Sequence, residues 1–294
     1  MSAWIWLSLG LGAALGDSGA DVLTKRYFSH LRPYGMAMAR LLAAVPFLAL
    51  AALFVSLPPL THPFWLIVAS MLPLEVIAYL LYMRALKTCH LSLCVPFLAF
   101  TPVFLLGTGY LLLGEGLNRW GIGGIIMVAA GSYVLGLGAD GGGRTGLLSP
   151  VKALARESGA RLMLLVAAIY SCSAALFKLA VLHSGPSFFA VYYLLTFIGL
   201  MSVPLPLSRV RLRPAIRKRY GWWLALGLCA SLSSLAFAFG VELAPAAYLV
   251  AVKRLSIFLS VLLGGLWLQE RPLLPRFAGV VLMCSGVACI ALRG

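Results

Sequence analysis

Six basic residues, Lys25, Arg40, Arg84, Lys178, Lys253 and Arg254, fall inside long apolar stretches of the sequence. The acidic residues in such stretches are fewer: Asp17, Asp21 and Glu75, with Glu242 near the end of one. An ionised side chain in the middle of an apolar helix is costly unless it faces a wet cavity or an opposite charge. These residues therefore point to chemistry carried out inside a membrane. Lysine and arginine are donors suited to carboxylate and phosphate groups, and an anionic solute would relieve an excess of buried positive charge. Lys178, Lys253 and Arg254 are the central candidates for that contact. Lys25 and Ser256 join them, with Tyr79 and Tyr82 as rings that line a cavity. The competing reading has the lysines snorkelling towards an interface.

The remaining charges form a second set. Asp17, Asp21 and Lys25 recur at every fourth residue, which is one helix face. That face is either a self-neutralising polar stripe or a proton- or cation-handling surface. Glu75 follows Pro73 in mid-span, where it takes up a coupling proton or pairs with Arg84 or another internal base. Arg40 and Arg84 are expected to brace neighbouring helices through backbone carbonyls. Lys253, Ser256 and Ser260 form a stripe on the ninth helix, while Arg254 points about 100° away. No histidine cluster exists, and no two cysteines stand in C-x-x-C spacing. No metal, nucleotide or other cofactor is expected. The six cysteines sit in apolar surroundings and read as buried structural thiols.

The elements that must position these residues follow from composition. Of 294 residues 62% are hydrophobic and 11% charged, whereas a soluble domain carries about 25% charged residues. A soluble enzyme, an extended signalling receptor and a disordered chain are excluded. About 20 apolar residues cross a bilayer as a helix. Breaking the apolar runs at Pro, Gly and charge clusters gives ten spans, over 3–25, 33–56, 63–87, 90–113, 118–139, 161–183, 187–208, 220–243, 246–268 and 273–292. The chain is thus an all-α integral membrane protein. Residues 1–139 form a first five-helix unit, 140–160 a basic, Gly-rich linker, and 161–294 a second unit.

The two units repeat one another. Lys25 and Pro33 stand eight apart, as do Lys178 and Pro186. Glu115 is followed by Gly124 and Gly131, and Glu270 by Gly279 and Gly286, at the same spacings of nine and sixteen. Because five is odd, the second unit must sit inverted relative to the first, an arrangement common in secondary transporters. Most of the 23 Lys and Arg fall in the loops of one side, while Arg119 and Arg293 mark the other. The net charge of +15 is therefore mainly a topology signal, not a nucleic-acid footprint. Positive-inside bias places the basic loops in the cytoplasm and both termini outside.

Ten spans in two halves, with Ala85-Leu86-Lys87 through Gly114-Glu115 and Val252-Lys253-Arg254-Leu255-Ser256 through Gln269-Glu270, resemble the EamA-type members of the drug/metabolite transporter superfamily. The resemblance covers nearly the whole chain. It implies a carrier with a central cavity that works by alternating access, in a bacterial inner membrane, as a monomer or homodimer. Sugar-phosphate and organophosphate translocators belong to the same superfamily and hold phosphate with bases on the first, sixth and ninth helices; Lys25, Lys178 and Lys253-Arg254 stand in similar positions. The expected partners are the bilayer and a small, anionic organic solute such as an organophosphate or carboxylate, moved by exchange or proton coupling. Export of amino acids or similar zwitterions, and flipping of a lipid-linked glycan or phospholipid, are the alternatives.

Overall fold

A computed structural model describes residues 2–89, 94–136, 157–208, 212–268 and 277–293. Among the described residues the chain is helical, with no strand. The elements are α1 (Ser2–Phe28), α2 (Pro33–Ala52), α3 (His62–Thr88), α4 (Val95–Leu113), α5 (Arg119–Gly136), α6 (Ser158–Ser184) and α7 (Pro186–Ser202). They continue with the short α8 (Leu212–Lys218), then α9 (Tyr220–Leu243), α10 (Ala246–Lys253), α11 (Leu255–Leu268) and α12 (Phe277–Arg293). Prolines open α2, α3 and α7, where a missing N–H costs nothing. Gly114 closes α4 with φ +66°, a left-handed cap that receives a glycine without strain.

Among the described residues five helices are long and apolar enough to cross a membrane: α2, α3, α4, α6 and α9. Arg119–Leu135, Pro186–Ser202 and Ala278–Arg293 are shorter apolar helices. The 27 residues of α1 extend about 40 Å, but Asp17, Asp21 and Lys25 interrupt its apolar surface. The ninth apolar stretch is two helices, α10 and α11, broken at Arg254. Of the proposed linker only residues 157–160 are described, and α6 already begins at Ser158. Glu270 lies outside the described residues.

Packing explains the repeated glycines. A Cβ on Gly131 would lie 2.6 Å from the Gly279 oxygen, and one on Gly279 would lie 2.6 Å from that of Gly131. Gly124 and Gly286 face each other likewise, at 2.7 and 2.6 Å. As the number rises on α5 it falls on α12, so the two helices run antiparallel with backbones in contact. Without a hydrophobic drive between helices in lipid, such small-residue seams allow close packing. The other principal pairs are α1 with α9 and α3 with α6. Gly16 serves the first of these, since a Cβ there would meet the Cys229 oxygen at 2.6 Å. Large apolar side chains such as Trp4, Phe54, Leu111 and Leu207 remain exposed on the outside, the surface expected to face lipid. Cys89 and Cys94 are joined in a disulfide across the α3–α4 connection, which corrects the reading of all six cysteines as thiols. Cys172, Cys229, Cys284 and Cys289 are free.

Candidate functional site

The helices enclose a central cavity of about 220 Å³. Six charged residues line it: Asp17 and Asp21 from α1, Arg40 from α2, Glu75 from α3, Lys253 from α10 and Arg254 at the α10–α11 break. Hydroxyls and rings fill the gaps between them. Tyr79 and Tyr82 come from α3, Tyr170 and Ser173 from α6, and Tyr193 from α7. Phe177, Phe197 and Phe237 supply an apolar wall.

Four of the six charges compensate one another. Arg40 donates from Nη1 to Asp21 Oδ1 at 2.5 Å, and its Nη2 lies 3.6 Å from Asp17 Oδ1. Lys253 Nζ lies 3.1 Å from Asp17 Oδ2 and 4.6 Å from the centre of the Phe237 ring. Ser233 Oγ donates to Asp17 Oδ1 at 2.6 Å. The acids of α1 are thus neutralised from α2 and α10, not along their own helix face.

Among the described residues the other two charges have no ionic partner within 4.0 Å. Arg254 is 8% exposed. Its Nη2 donates to Thr101 Oγ1 at 2.9 Å, while its Nε meets no acceptor. No carboxylate lies within 4.0 Å of it among the described residues. Glu75 accepts a short hydrogen bond from Ser173 Oγ, and no cation lies within 4.0 Å among the described residues. It does not pair with Arg84, which is exposed and away from the cavity. Tyr193, also 8% exposed, lines the same space with a hydroxyl that has no hydrogen-bond partner among the described residues.

The break at Arg254 corrects the helical-wheel expectation. The Arg254 N–H is shared between the Val250 and Ala251 carbonyls, at 3.1 and 3.2 Å, and its own carbonyl receives Ile257 N–H, an i+3 bond. This tightened turn lets Lys253 and Arg254, adjacent in sequence, both face the cavity, with Ser256 beside them.

Two of the expected solute-binding lysines stand elsewhere. Lys178 Nζ lies 2.6 Å from Glu115 Oε1 and donates to the Ala244 carbonyl at 2.7 Å. Glu115 Oε2 accepts the Ala246 N–H at 3.0 Å, so one knot ties the end of α4 to α6 and to the α9–α10 connection. Lys25 Nζ donates to the Cys89 carbonyl at 2.5 Å. Neither lysine lines the cavity. Sequence reasoning missed Thr101, Tyr170, Ser173, Ser233 and Phe237. The only signal was a sparse polar or aromatic residue within an apolar run, as with Tyr170, Ser173 and Phe177 along one face of α6. No cluster of three or more metal-ligating side chains occurs among the described residues.

Comparison with known proteins gives the architecture a family. A solved crystal structure at 18% identity superposes with a TM-score of 0.73, covering 98% of this chain and 99% of that one, which is a likeness of fold. No curated protein matches the sequence. The EamA-like transporter family matches twice, over residues 4–137 and again over 157–292. With both halves of the polypeptide accounted for by one repeated unit, the chain belongs to the EamA-like transporter family of the drug/metabolite transporter superfamily.

Proposed function

We propose that this protein is a secondary transporter that moves a small organic solute bearing an acidic group by alternating access, with Arg254 holding that group. The observation that carries the reading is the buried Arg254 guanidinium, which has no carboxylate within 4.0 Å among the described residues. A buried charge without a counter-charge is strongly destabilising, and the group that would compensate it is one the solute brings. Carboxylate and phosphate both match the planar fork of a guanidinium. The cavity, at about 220 Å³, is smaller than the ~300–1,000 Å³ typical of drug-sized ligands, so the solute is small. Phe177, Phe197 and Phe237 give its carbon skeleton an apolar surface. A zwitterionic solute is the second reading, favoured by Glu75, a carboxyl facing the same cavity without a cation.

The carrier is a ten-span protein in this reading, α10 and α11 forming one span, with its halves inverted. The antiparallel glycine seam between α5 and α12 supports that arrangement. In this reading both termini lie outside the cytoplasm of a bacterial inner membrane, an orientation that the distribution of basic loops supports. A C-terminal reporter active only in the cytoplasm should stay dark; strong signal reverses the orientation.

Transport is tested in proteoliposomes with labelled glutamate, gluconate, malate, glycerol 3-phosphate and phenylalanine. The expected result is uptake of at least one acid that Arg254→Gln abolishes. Uptake of every solute unchanged in that variant overturns the assignment of Arg254.

A further inference from the structure

We infer that Glu75 is a proton site coupled to Arg254, so that the carrier moves one proton together with each singly charged anion, without net charge transfer. The inference rests on the transport reading above and deepens it. Its basis is the charge balance of the cavity. Asp17 and Asp21 are matched by Arg40 and Lys253 at 2.5–3.6 Å. What remains is one carboxyl, Glu75, and one guanidinium, Arg254, each without an opposite charge within 4.0 Å among the described residues.

The surroundings of Glu75 leave its proton free to come and go. The Ser173 hydroxyl on α6 donates to it, and Tyr79 of α3, Tyr170 of α6 and Tyr193 of α7 line the same cavity. Lys253 acts on it from α10, but that ammonium contacts Asp17. Arg40 on α2 is held by Asp21. Neutral donors can serve either protonation state of a carboxyl, whereas a contact ion pair would fix the ionised one. Two buried donors, Arg254 Nε and Tyr193 Oη, belong to residues that line this cavity and meet no acceptor among the described residues. They are the places where an incoming acid finds hydrogen bonds.

The consequence is a rule for which states can reorient. The empty cavity, with Glu75 ionised and Arg254 charged, is neutral. Binding a monoanion at Arg254 leaves one negative charge in excess, and a proton from the same aqueous side onto Glu75 cancels it. Release on the other side returns both. A cavity with only the anion, or only the proton, carries a net charge, and low-dielectric surroundings disfavour its movement. Anion and proton therefore cross together. A solute of net charge −1 fits this balance; a dianion or a net-neutral zwitterion does not.

The test uses the full chain in proteoliposomes loaded with a pH dye, with the same five solutes. Acidifying the outside should drive accumulation of glutamate or gluconate and acidify the lumen in step. Clamping the potential with valinomycin and potassium should change the initial rate by less than about twofold. Glu75→Gln mimics the protonated site permanently. Its loaded form is neutral but its empty form is not, so labelled counterflow should persist while proton-driven accumulation falls on the order of tenfold or more. If Glu75→Gln proves inactive in both assays, Glu75→Asp decides. A shifted pH midpoint for accumulation supports the proton site, and an unchanged profile overturns it. Uptake that requires Arg254 yet ignores the proton gradient, or phenylalanine uptake without proton movement, overturns the coupling and leaves the transport reading standing. Absent or Arg254-independent uptake of every solute overturns the transport reading itself.

Discussion

Lys25 and Lys178 hold the same place in the two halves and use their ammonium groups in the same way. Each donates to a backbone carbonyl just before the next pair of spans, Cys89 for Lys25 and Ala244 for Lys178. Aligning Glu115 with Glu270 sets these two acceptor residues opposite each other. The centre of the molecule behaves differently. Equivalent positions of both halves line the cavity, but with unlike side chains. Asp17 and Asp21 stand where the second half has Tyr170 and Ala174, Arg40 where it has Tyr193, and Glu75 where it has Ala230. Leu98 and Ala99 stand opposite Lys253 and Arg254. With Glu75 ionised, the first half contributes three negative charges and one positive to the cavity, and the second half two positive. Each half is unbalanced alone, and together they cancel. The shared ends are the part of the scaffold that both halves use alike; the divergent centre is where we propose that solute chemistry is set.

Breaking the centre should cost most. Arg254→Ala is expected to weaken solute binding by about 2–5 kcal/mol, read as a loss of uptake with little change in melting temperature. Lys253→Met removes the contact ion pair of Asp17 and is expected to destabilise the protein by about 3 kcal/mol. Adding Asp17→Asn should restore much of that loss, since the double change removes both partners and adds no unmatched charge; thermal unfolding in detergent reads both. Equal loss in the single and double variants would contradict the cross-half pairing.

The ends are tested next. Lys178→Met strips Glu115 and the Ala244 carbonyl of their partner and should lower stability by about 1–3 kcal/mol while leaving solute affinity unchanged. A large affinity loss there would return Lys178 to the binding site. The smallest contrast concerns the glycine seam. Gly131→Ala places a methyl against the Gly279 oxygen and should cost about 1–3 kcal/mol. Gly123→Ala, which meets nothing within 4 Å, should stay within about 0.5 kcal/mol.

Much of this arrangement was legible from residue types alone. Charge inside an apolar run is rare enough that Asp17, Asp21, Arg40, Glu75, Lys253 and Arg254 stood out, and all six line the cavity. The spacing of glycines after Glu115 and Glu270 marked both helices of the α5–α12 seam. Other features depend on distant partners. Lys178 is held by a carbonyl 66 residues away, so its sequence neighbours could not say whether it faced a solute or a strut. Arg84 stood among apolar residues yet is exposed. The excess of buried positive charge argued from composition is not found around the cavity, because Lys178 and Lys25 are held outside it. Facing of both Lys253 and Arg254 required a helix break that no proline or glycine at that point announces. Tyr170 and Ser173 are neutral and carry no charge signal in an apolar span.

The central claim is that the second half supplies, at Arg254, a cavity-lining cation with no carboxylate within 4.0 Å among the described residues, open for an acid. Equilibrium binding of a transported acid to the wild-type chain, Arg254→Lys and Arg254→Gln tests it directly. The account requires a modest loss with lysine, which keeps the charge without the fork, and a loss of about 100-fold or more with glutamine. Equal affinity in all three proteins would contradict it.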